Sequence, residues 1–179
     1  MKRALVVASA VLFLFAQAIS AQAPPAAPKP GPEHKRIGYF LGTWSSEGDM
    51  KPSPFGPGGK FTTTDHNEWF PGGFFLVLHS DFKGSMGEGK SLAVMGYSSD
   101  EKAYTYYGID SMGMADTSKG ALAGDTWTFL SDSKVGGKPM KTRFTMKELS
   151  PTSYSFKLET STGGGAWASI MEGKANKSK

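Results

Sequence analysis

The sequence contains no cysteine, which excludes disulfides, thiolate metal sites and thiol catalysis. It has no long apolar run after residue 19, whereas a membrane span needs about 20 apolar residues. It also lacks a basic surplus in its main part. Residues 33–173 carry 14 basic and 16 acidic side chains, a net charge of −2, although the whole chain has +4. Nucleic-acid-binding proteins concentrate positive charge on the folded surface, so that class is excluded.

Glycine and aromatic residues are abundant, with 23 Gly, 12 Phe, 6 Tyr and 4 Trp in 179 residues. The long charged residues that favour helices are scarce. This composition is typical of strands joined by many tight turns. The length predicts one domain with a hydrophobic core.

The first 21 residues have the pattern of a secretory signal peptide. Lys2 and Arg3 precede the apolar segment Ala4–Ile19, and the small residues Ser20 and Ala21 follow it. The segment is short for a membrane anchor, and a lipoprotein would need a cysteine at the cleavage site. We predict cleavage after Ala21 and a secreted or periplasmic protein that is not a lipoprotein and has no membrane span.

Three further segments follow the leader. Residues 22–32 contain five prolines and no large apolar side chain, which predicts an extended linker. The barrel domain is predicted over 33–174, and a basic tail over 175–179. One short helix is predicted over 33–41, because apolar residues recur there at helical spacing and Gly42 follows.

The rest of the chain alternates between apolar and polar residues, with Gly, Pro, Asp and Ser at the turns. The predicted strands are Thr43–Met50, Lys60–Phe70, Gly73–Phe82, Lys90–Ser98, Ala103–Asp110, Ala115–Ala123, Thr126–Phe129, Thr142–Glu148, Tyr154–Thr160 and Ala166–Lys174. Connections this short join antiparallel neighbours, and a long meander removes its edges by closing. We therefore predict an all-β fold, an antiparallel up-and-down barrel of about ten strands with one short N-terminal helix; a two-sheet sandwich is the alternative.

Residues 84–91 match the phosphate-loop pattern G-x-x-x-x-G-K-S. That motif works only when a helix follows it, so that the helix N-terminus can hold phosphate. Here the apolar continuation is interrupted by Gly96 and then by a turn. The segment is predicted to be a hairpin loop.

Three histidines are present, and His34 is expected to be solvent-exposed at the start of the helix. If the strands around the Pro71-Gly72 turn pair so that Phe70 faces Gly73, His66 and His79 share a sheet face with Glu68. A loop one residue longer would place the two histidines on opposite faces. A two-histidine, one-carboxylate metal site therefore depends on the register, and we predict separate histidines and no metal.

Eight methionines follow the leader, with Met95, Met112 and Met114 close together. Thioethers bind Cu(I), but methionine also fills irregular cores and adaptable cavities. We favour packing or cavity lining, and we predict no cofactor.

Polar residues share a strand face with large aromatics in the segment around residue 65. Asp65 and Asn67 have the same parity as Phe61 and Trp69. A barrel with a wet, ligand-sized interior would produce this pattern, as would a strand near an edge.

Six segments form an ordered set of motifs: Phe40–Trp44, Gly58–Thr64, Trp69–Leu76, Met95–Tyr97, Tyr104–Tyr107 and Asp110–Met114. Together they resemble an exported bacterial family of unknown function, number 1579, over roughly residues 33–174. Gly42-Thr43-Trp44 also matches the G-x-W of lipocalins and other calycins, in which Trp closes the barrel floor. The resemblance implies a calycin-like barrel and no established activity.

The chain departs from these relatives in two ways. Lipocalins usually pack an arginine of the last strand over the G-x-W tryptophan, and here that stretch offers only Lys174. Related barrels that bind haem use a histidine near the C-terminus, and this chain has none after His79.

Our leading hypothesis is a small apolar or amphipathic ligand bound inside the barrel. The candidate ligand-binding residues are Trp44, Trp69, Tyr104, Tyr106, Asp110, Met112 and Trp127. One alternative is a hydrolase or isomerase that uses His66 or His79 with Glu68 or Asp110, and no residue is assigned as catalytic. Another is an envelope or stress protein that acts through its surface.

Overall fold

The computed structural model describes residues 27–53, 56–85 and 87–178, which form ten strands closed into a barrel. Helix α1 (Pro32–Ile37) continues into one 3₁₀ turn, Gly38–Phe40. The strands are β1 Gly42–Met50, β2 Gly59–Trp69, β3 Leu76–Gly84, β4 Gly87–Ser98, β5 Ala103–Asp110, β6 Ala115–Ala123, β7 Thr126–Val135, β8 Lys138–Ser150, β9 Ser153–Thr162 and β10 Ala168–Lys177. None of the helices in these ranges is long and apolar enough to span a membrane.

Every strand pairs antiparallel with its neighbours in sequence, and β1 also pairs with β10. The pairing leaves no free sheet edge, which is the physical advantage of closure. The predicted all-β up-and-down barrel with one short N-terminal helix is confirmed. The sandwich alternative is wrong, because the β1–β10 pairing joins the ends of the sheet. The predicted signal peptide, residues 1–21, lies outside the described residues.

Strands β7 and β8 are longer than the sequence pattern predicted. The prediction ended the first at Phe129 and began the second at Thr142, whereas they extend to the turn at Gly136-Gly137. The first two added inward positions of β7 are Ser131 and Ser133, and the next large apolar residue of that face is Val135 at the strand end. The alternation that marks a half-buried strand is therefore invisible there.

Strand β10 continues to Lys177, so it includes the first three residues of the predicted tail 175–179. Ala175 is fully buried on the inner face, between Ser46 of β1 and Tyr154 of β9. Lys177, not Lys174, places its Nζ 5.7 Å from the centre of the Trp44 ring. Lys174 pairs opposite Glu47 on the outer face. Because inward residues such as Ala175 are small, this part of the strand lacks the large apolar side chains that mark a buried face.

A glycine pair allows β1 and β10 to approach closely in the middle of the barrel. Gly48 pairs with Gly173. A Cβ added at Gly48 would lie 2.3 Å from the carbonyl oxygen of Glu172 and 2.9 Å from the Phe61 ring. No side chain fits at this position without displacing backbone.

The helix and the 3₁₀ turn close one end of the barrel, which we call the floor. Its fully or almost fully buried side chains are Ile37, Phe40, Trp44, Leu76, Met95, Tyr104, Trp127 and Tyr154. The carbonyl oxygen of Phe40 accepts hydrogen bonds from Trp44 Nε1 at 2.9 Å and Asn67 Nδ2 at 2.8 Å. These bonds satisfy a helix-end carbonyl and attach the turn to β1 and β2.

Charged and polar side chains of the helix also bond to the floor. Arg36 forms an ion pair with Glu148 at 2.5 Å, and the same carboxylate accepts a hydrogen bond from Trp127 Nε1 at 2.6 Å. His34 is buried rather than exposed as predicted, because its ring packs edge-on against Phe74 and Tyr97. The helix therefore contacts the rest of the protein through Arg36 and His34 as well as through Ile37, and the spacing of its apolar residues does not reveal these polar contacts.

Candidate functional site

The barrel interior above the floor has one polar side. Register and burial place polar side chains on the inner faces of β2, β3, β4 and β5. We call this group the polar wall: Thr63, Asp65, Ser80, Ser91 and Tyr106. All five side chains point inward, and all five keep partial solvent accessibility.

Asp65 is the central residue of the polar wall. Its carboxylate accepts hydrogen bonds from the hydroxyl groups of Thr63, at 3.5 Å, and Ser80. Burial nevertheless raises the pKa of Asp65 above its ordinary value of 3.8, and the two hydrogen bonds only partly oppose that change. No basic residue occupies an inward position on the described parts of β1 to β6. Asp65 is thus a deep carboxyl group without a cationic partner.

The electrostatic influence of Asp65 extends across the interior. Burial, and then the carboxylates of Asp116 and Asp65, raise the pKa of Tyr106 to about 12. Burial and Asp65 also raise the pKa of Tyr154, while a hydrogen bond with Ser46 opposes the change. Both phenols therefore stay protonated at neutral pH and remain hydrogen-bond donors.

Large apolar inward residues come from the last four strands, where Ser131, Thr142 and Thr160 also occupy inward positions nearer the end of the barrel opposite the floor. We call this group the apolar wall: Phe129, Phe144, Phe156, Leu158 and Met171. Phe144 and Phe156 pack at a centroid distance of 6.1 Å. Aromatic and thioether side chains offer a broad contact surface to an apolar molecule. The two walls together make the interior amphipathic.

The end of the barrel opposite the floor is called the mouth. Between the two ends, several inward side chains keep accessible surface, and we call the space that they border the lumen. Asp65 and Tyr106 occupy inward positions of β2 and β5, and burial is the largest cause of the raised pKa of each. Both nevertheless retain solvent-accessible surface. In the floor, by contrast, Trp44, Leu76 and Trp127 have no accessible surface. A group that is both deep and accessible borders internal space rather than packed side chains.

A separate groove of about 670 Å³ lies on the outside of the wall, over the Gly48–Gly173 pair. Outward lysines and carboxylates line it, including Lys60 and Asp49, whose charged atoms are 3.9 Å apart. Charges of both signs in open solvent favour water over a small ligand. Its volume is within the usual range of ligand pockets, but the groove is open to solvent and its rim is charged.

The seven predicted ligand-binding residues divide among three places. Trp44, Tyr104 and Trp127 are packed into the floor, where ring contacts such as the 4.7 Å Tyr104–Trp127 pair fill the space. Trp69 is half-buried, inward and close to the floor. Tyr106 borders the lumen. Of the aromatic candidates, the structure thus brings Tyr106 to the internal space and gives three of the others a packing role.

Asp110 and Met112 lie at the mouth. Asp110 occupies an inward position opposite Ser91, and its Oδ1 accepts hydrogen bonds from the backbone N–H groups of Met112 and Met114, each at 2.9 Å. This carboxylate therefore holds the β5–β6 turn in shape. Met112 and Met114 are exposed on that turn, whereas Met95 is buried in the floor.

The two strand histidines face outward, in a register that the sequence left open. His66 pairs directly with His79, because Trp69 rather than Phe70 begins the pairing with Leu76. Glu68 shares their exposed outer face, while Asp110 is on the inner side of the wall. Within residues 27–53, 56–85 and 87–178, no three His, Cys, Asp or Glu side chains are placed to hold a metal ion. Histidine and Asp110 do not converge in one cleft, as the predicted hydrolase or isomerase would require.

The phosphate-loop pattern lies in a β hairpin. Gly84 ends β3 and pairs with Gly87, the first residue of β4, and strand continues through Lys90 and Ser91. The helix N-terminus that would bind phosphate does not follow the glycines. The predicted hairpin is confirmed.

Apart from Tyr106, the residues of the polar wall were not among the predicted site residues. A signal was present in the sequence, since Asp65 and Asn67 alternate in phase with Phe61 and Trp69. The partners Ser80 and Ser91 were hidden, because short hydroxyl residues occur equally often on outer faces. Only the strand register brings Ser80 opposite Asp65.

Comparison with solved structures identifies other barrels of this fold. Protein Rv2717c from M. tuberculosis aligns with a TM-score of 0.57 and 11% sequence identity, over 83% of this chain and 99% of that one. The S-type phycobiliprotein lyase CPES from Guillardia theta aligns with a TM-score of 0.52 and 10% identity, over 82% and 93% of the two chains. At these identities the likeness shows a shared fold. No curated protein is significantly similar to this chain in sequence.

The family model of DUF1579, described as a protein of unknown function, matches residues 29–177. The match spans the helix and all ten strands of the barrel. The chain therefore belongs to the DUF1579 family of proteins of unknown function.

Proposed function

We propose that this protein is exported and binds a small amphipathic molecule inside its barrel. The observation that carries the proposal is the partial accessibility of inward residues of both walls, such as Asp65, Tyr106 and Leu158, above a floor whose large side chains are buried. A ligand with an apolar body would contact the apolar wall, and its polar end would meet Asp65 and Tyr106. The export part of the proposal is supported by the leader pattern of residues 1–21.

The first experiment is native mass spectrometry of the protein expressed with its own leader and purified without detergent or chelator. We expect a chain that begins at Gln22 and carries a discrete additional mass. An unprocessed chain would contradict export. A bare mass, together with no uptake of added amphiphiles, would contradict binding in the lumen.

A blocking variant tests where the ligand binds. Ser91→Phe adds a ring at an inward position of the polar wall, and Thr117→Phe adds the same ring at an exposed outward position of β6. Overpacking costs about 1–3 kcal/mol, so both variants are first compared by thermal unfolding. We expect the first variant to lose the additional mass and the second to keep it. Equal retention by both would place the ligand elsewhere.

An exposed apolar surface on the outer wall favours a second candidate function, surface-mediated interaction. Leu92 pairs with Ile109 and Val94 with Tyr107 across β4 and β5, and three of these four side chains are exposed. Patches of this kind often form interfaces. Sedimentation analysis of the wild type and of Ile109→Lys would test it, because a stable oligomer that the variant dissociates is the expected result. A monomeric wild type would contradict it.

A further inference from the structure

A second acceptor lies beside Asp65, on the same inward face of β2. Asn67 is one inward position closer to the floor and is 95% buried, since only 5% of its surface is exposed. Its Nδ2 donates to the carbonyl oxygen of Phe40, whereas its Oδ1 has no hydrogen-bond partner. A buried acceptor without a donor is uncommon in folded proteins, because it loses its bonds to water without replacement.

The two neighbouring groups require the same chemistry from a ligand. The Asp65 carboxylate and Asn67 Oδ1 are both acceptors, and a charged acceptor is best matched by a cation that carries several N–H bonds. The basic side chains at the floor are already engaged. Arg36 pairs with Glu148, and Lys177 packs over the Trp44 ring. Within the described residues, neither of these basic groups forms an ion pair with Asp65.

We propose that the lumen recognises a primary amine on an apolar body, with the ammonium group held by the Asp65 carboxylate and Asn67 Oδ1 and the body against the apolar wall. This inference rests on the proposed function and narrows it to one ligand class. Asp116, an exposed residue at an inward position of the adjacent strand β6, adds a second negative charge that acts on Tyr106 and also favours a cation. Thr63 and Ser80 orient the carboxylate by donating to it.

A matched set of eight-carbon probes tests the ligand class by calorimetry at pH 7 on the intact protein. The probes are octylamine, octanol, octanoate and octyltrimethylammonium. Hydrogen bonds to a charged group favour octylamine over octanol by about tenfold to a hundredfold. We expect octanoate to bind most weakly, and octyltrimethylammonium to bind less tightly than octylamine because it has a charge but no N–H bond.

The decisive variant is Asp65→Asn, which keeps the shape of the side chain and removes its charge. We expect it to lower octylamine affinity by about tenfold or more and to change octanol affinity by less than about twofold. Asp81→Asn on the outer face of β3, where Asp81 pairs with Lys90, is the control and is expected to bind like the wild type. The wild-type probe series remains decisive if the Asp65 variant does not fold.

Each result separates the two proposals. Equal affinities for amine and alcohol, or a preference for octanoate, would overturn the amine assignment while leaving lumen binding intact. If none of the four probes binds and no cargo is retained after purification, the proposed function itself is wrong.

Discussion

The two ends of the barrel interior differ in packing, polarity and hydrogen bonding. At the floor, Trp44 and Trp127 are completely inaccessible, and Phe40, Asn67 and Glu148 serve as hydrogen-bond partners of the closing turn and the indoles. Above it, Asp65, Tyr106 and Leu158 keep partial accessibility, whereas Phe129 and Phe156 are buried. One barrel thus combines a tightly packed, stabilising end with an end in which several inward side chains remain accessible.

Stability and binding are expected to depend on different ends of the barrel. Burial of large rings is the main stabilising contribution available to a chain without disulfides. A deep carboxyl group without a cationic partner is instead unfavourable for folding, as functional sites often are. We therefore expect substitutions in the floor to reduce stability, and substitutions in the lumen to change binding more than stability.

The largest effect is expected for Trp127→Ala in the floor. The substitution opens a cavity and removes the indole donor to Glu148, so the free energy of unfolding should fall by about 3–5 kcal/mol. For a chain of this size the Tm would fall by roughly 6–20 °C. Urea and thermal unfolding of Tyr106→Ala provide the lumen comparison, with less than about half of that loss expected. Equal losses would mean that the lumen is as tightly packed as the floor.

An intermediate effect is expected for Arg36→Met, which removes the ion pair with Glu148 while keeping an apolar stem over Trp127. Glu148 is largely buried, so leaving it unpaired should lower the free energy of unfolding by about 1–3 kcal/mol, less than for a fully buried pair. Lys60→Met breaks the exposed 3.9 Å pair with Asp49 and is the control, with a change below about 0.5 kcal/mol. Similar losses in both variants would show that the floor pair contributes no more than a surface pair.

The smallest effect has the opposite sign and concerns Asp65→Asn in the lumen. Because the pKa of Asp65 is raised in the folded state, the folded protein holds this proton more tightly than the unfolded chain. The wild type therefore loses stability as the pH rises from 3.8 through the raised pKa, and the variant does not. We expect the ligand-free variant to be more stable than the wild type at pH 7 by about 0.5–2 kcal/mol.

Urea unfolding at pH 3.5 and at pH 7 checks this sign. The gain of the variant should be small at the lower pH, where the carboxyl group is protonated in both states, and should develop as the pH rises. A variant that is less stable than the wild type at pH 7 would show that the Asp65 charge is compensated in the folded protein.

The fold could be predicted because its signals are local. Alternation along strands such as Tyr154–Thr160, and turn residues such as Gly124-Asp125, depend on neighbours in sequence. All ten strands were predicted in the right order, and the errors lie at strand ends. At those ends small inward residues, such as Ser133 and Ala175, remove the contrast between the two faces.

The candidate site could be predicted only in part. Large inward aromatics were recognised, but the sequence does not distinguish a ring in the floor, such as Tyr104, from a ring that borders the lumen, such as Tyr106. The two lie on the same strand face and have the same chemistry. Their difference depends on height above the floor, which follows from the docking of α1 and the 3₁₀ turn.

By itself, the sequence determined the all-β class, the strand order, the turns and the short N-terminal helix, because these follow from residues close together along the chain. The tertiary structure places His66 opposite His79 on the outside and Lys177 over Trp44, and it leaves the buried Asn67 Oδ1, next to Asp65 on the inner face of β2, without a hydrogen-bond partner. Those facts depend on register and on closure of the barrel. Register changes by one residue with one residue of loop, and closure joins strands more than one hundred residues apart.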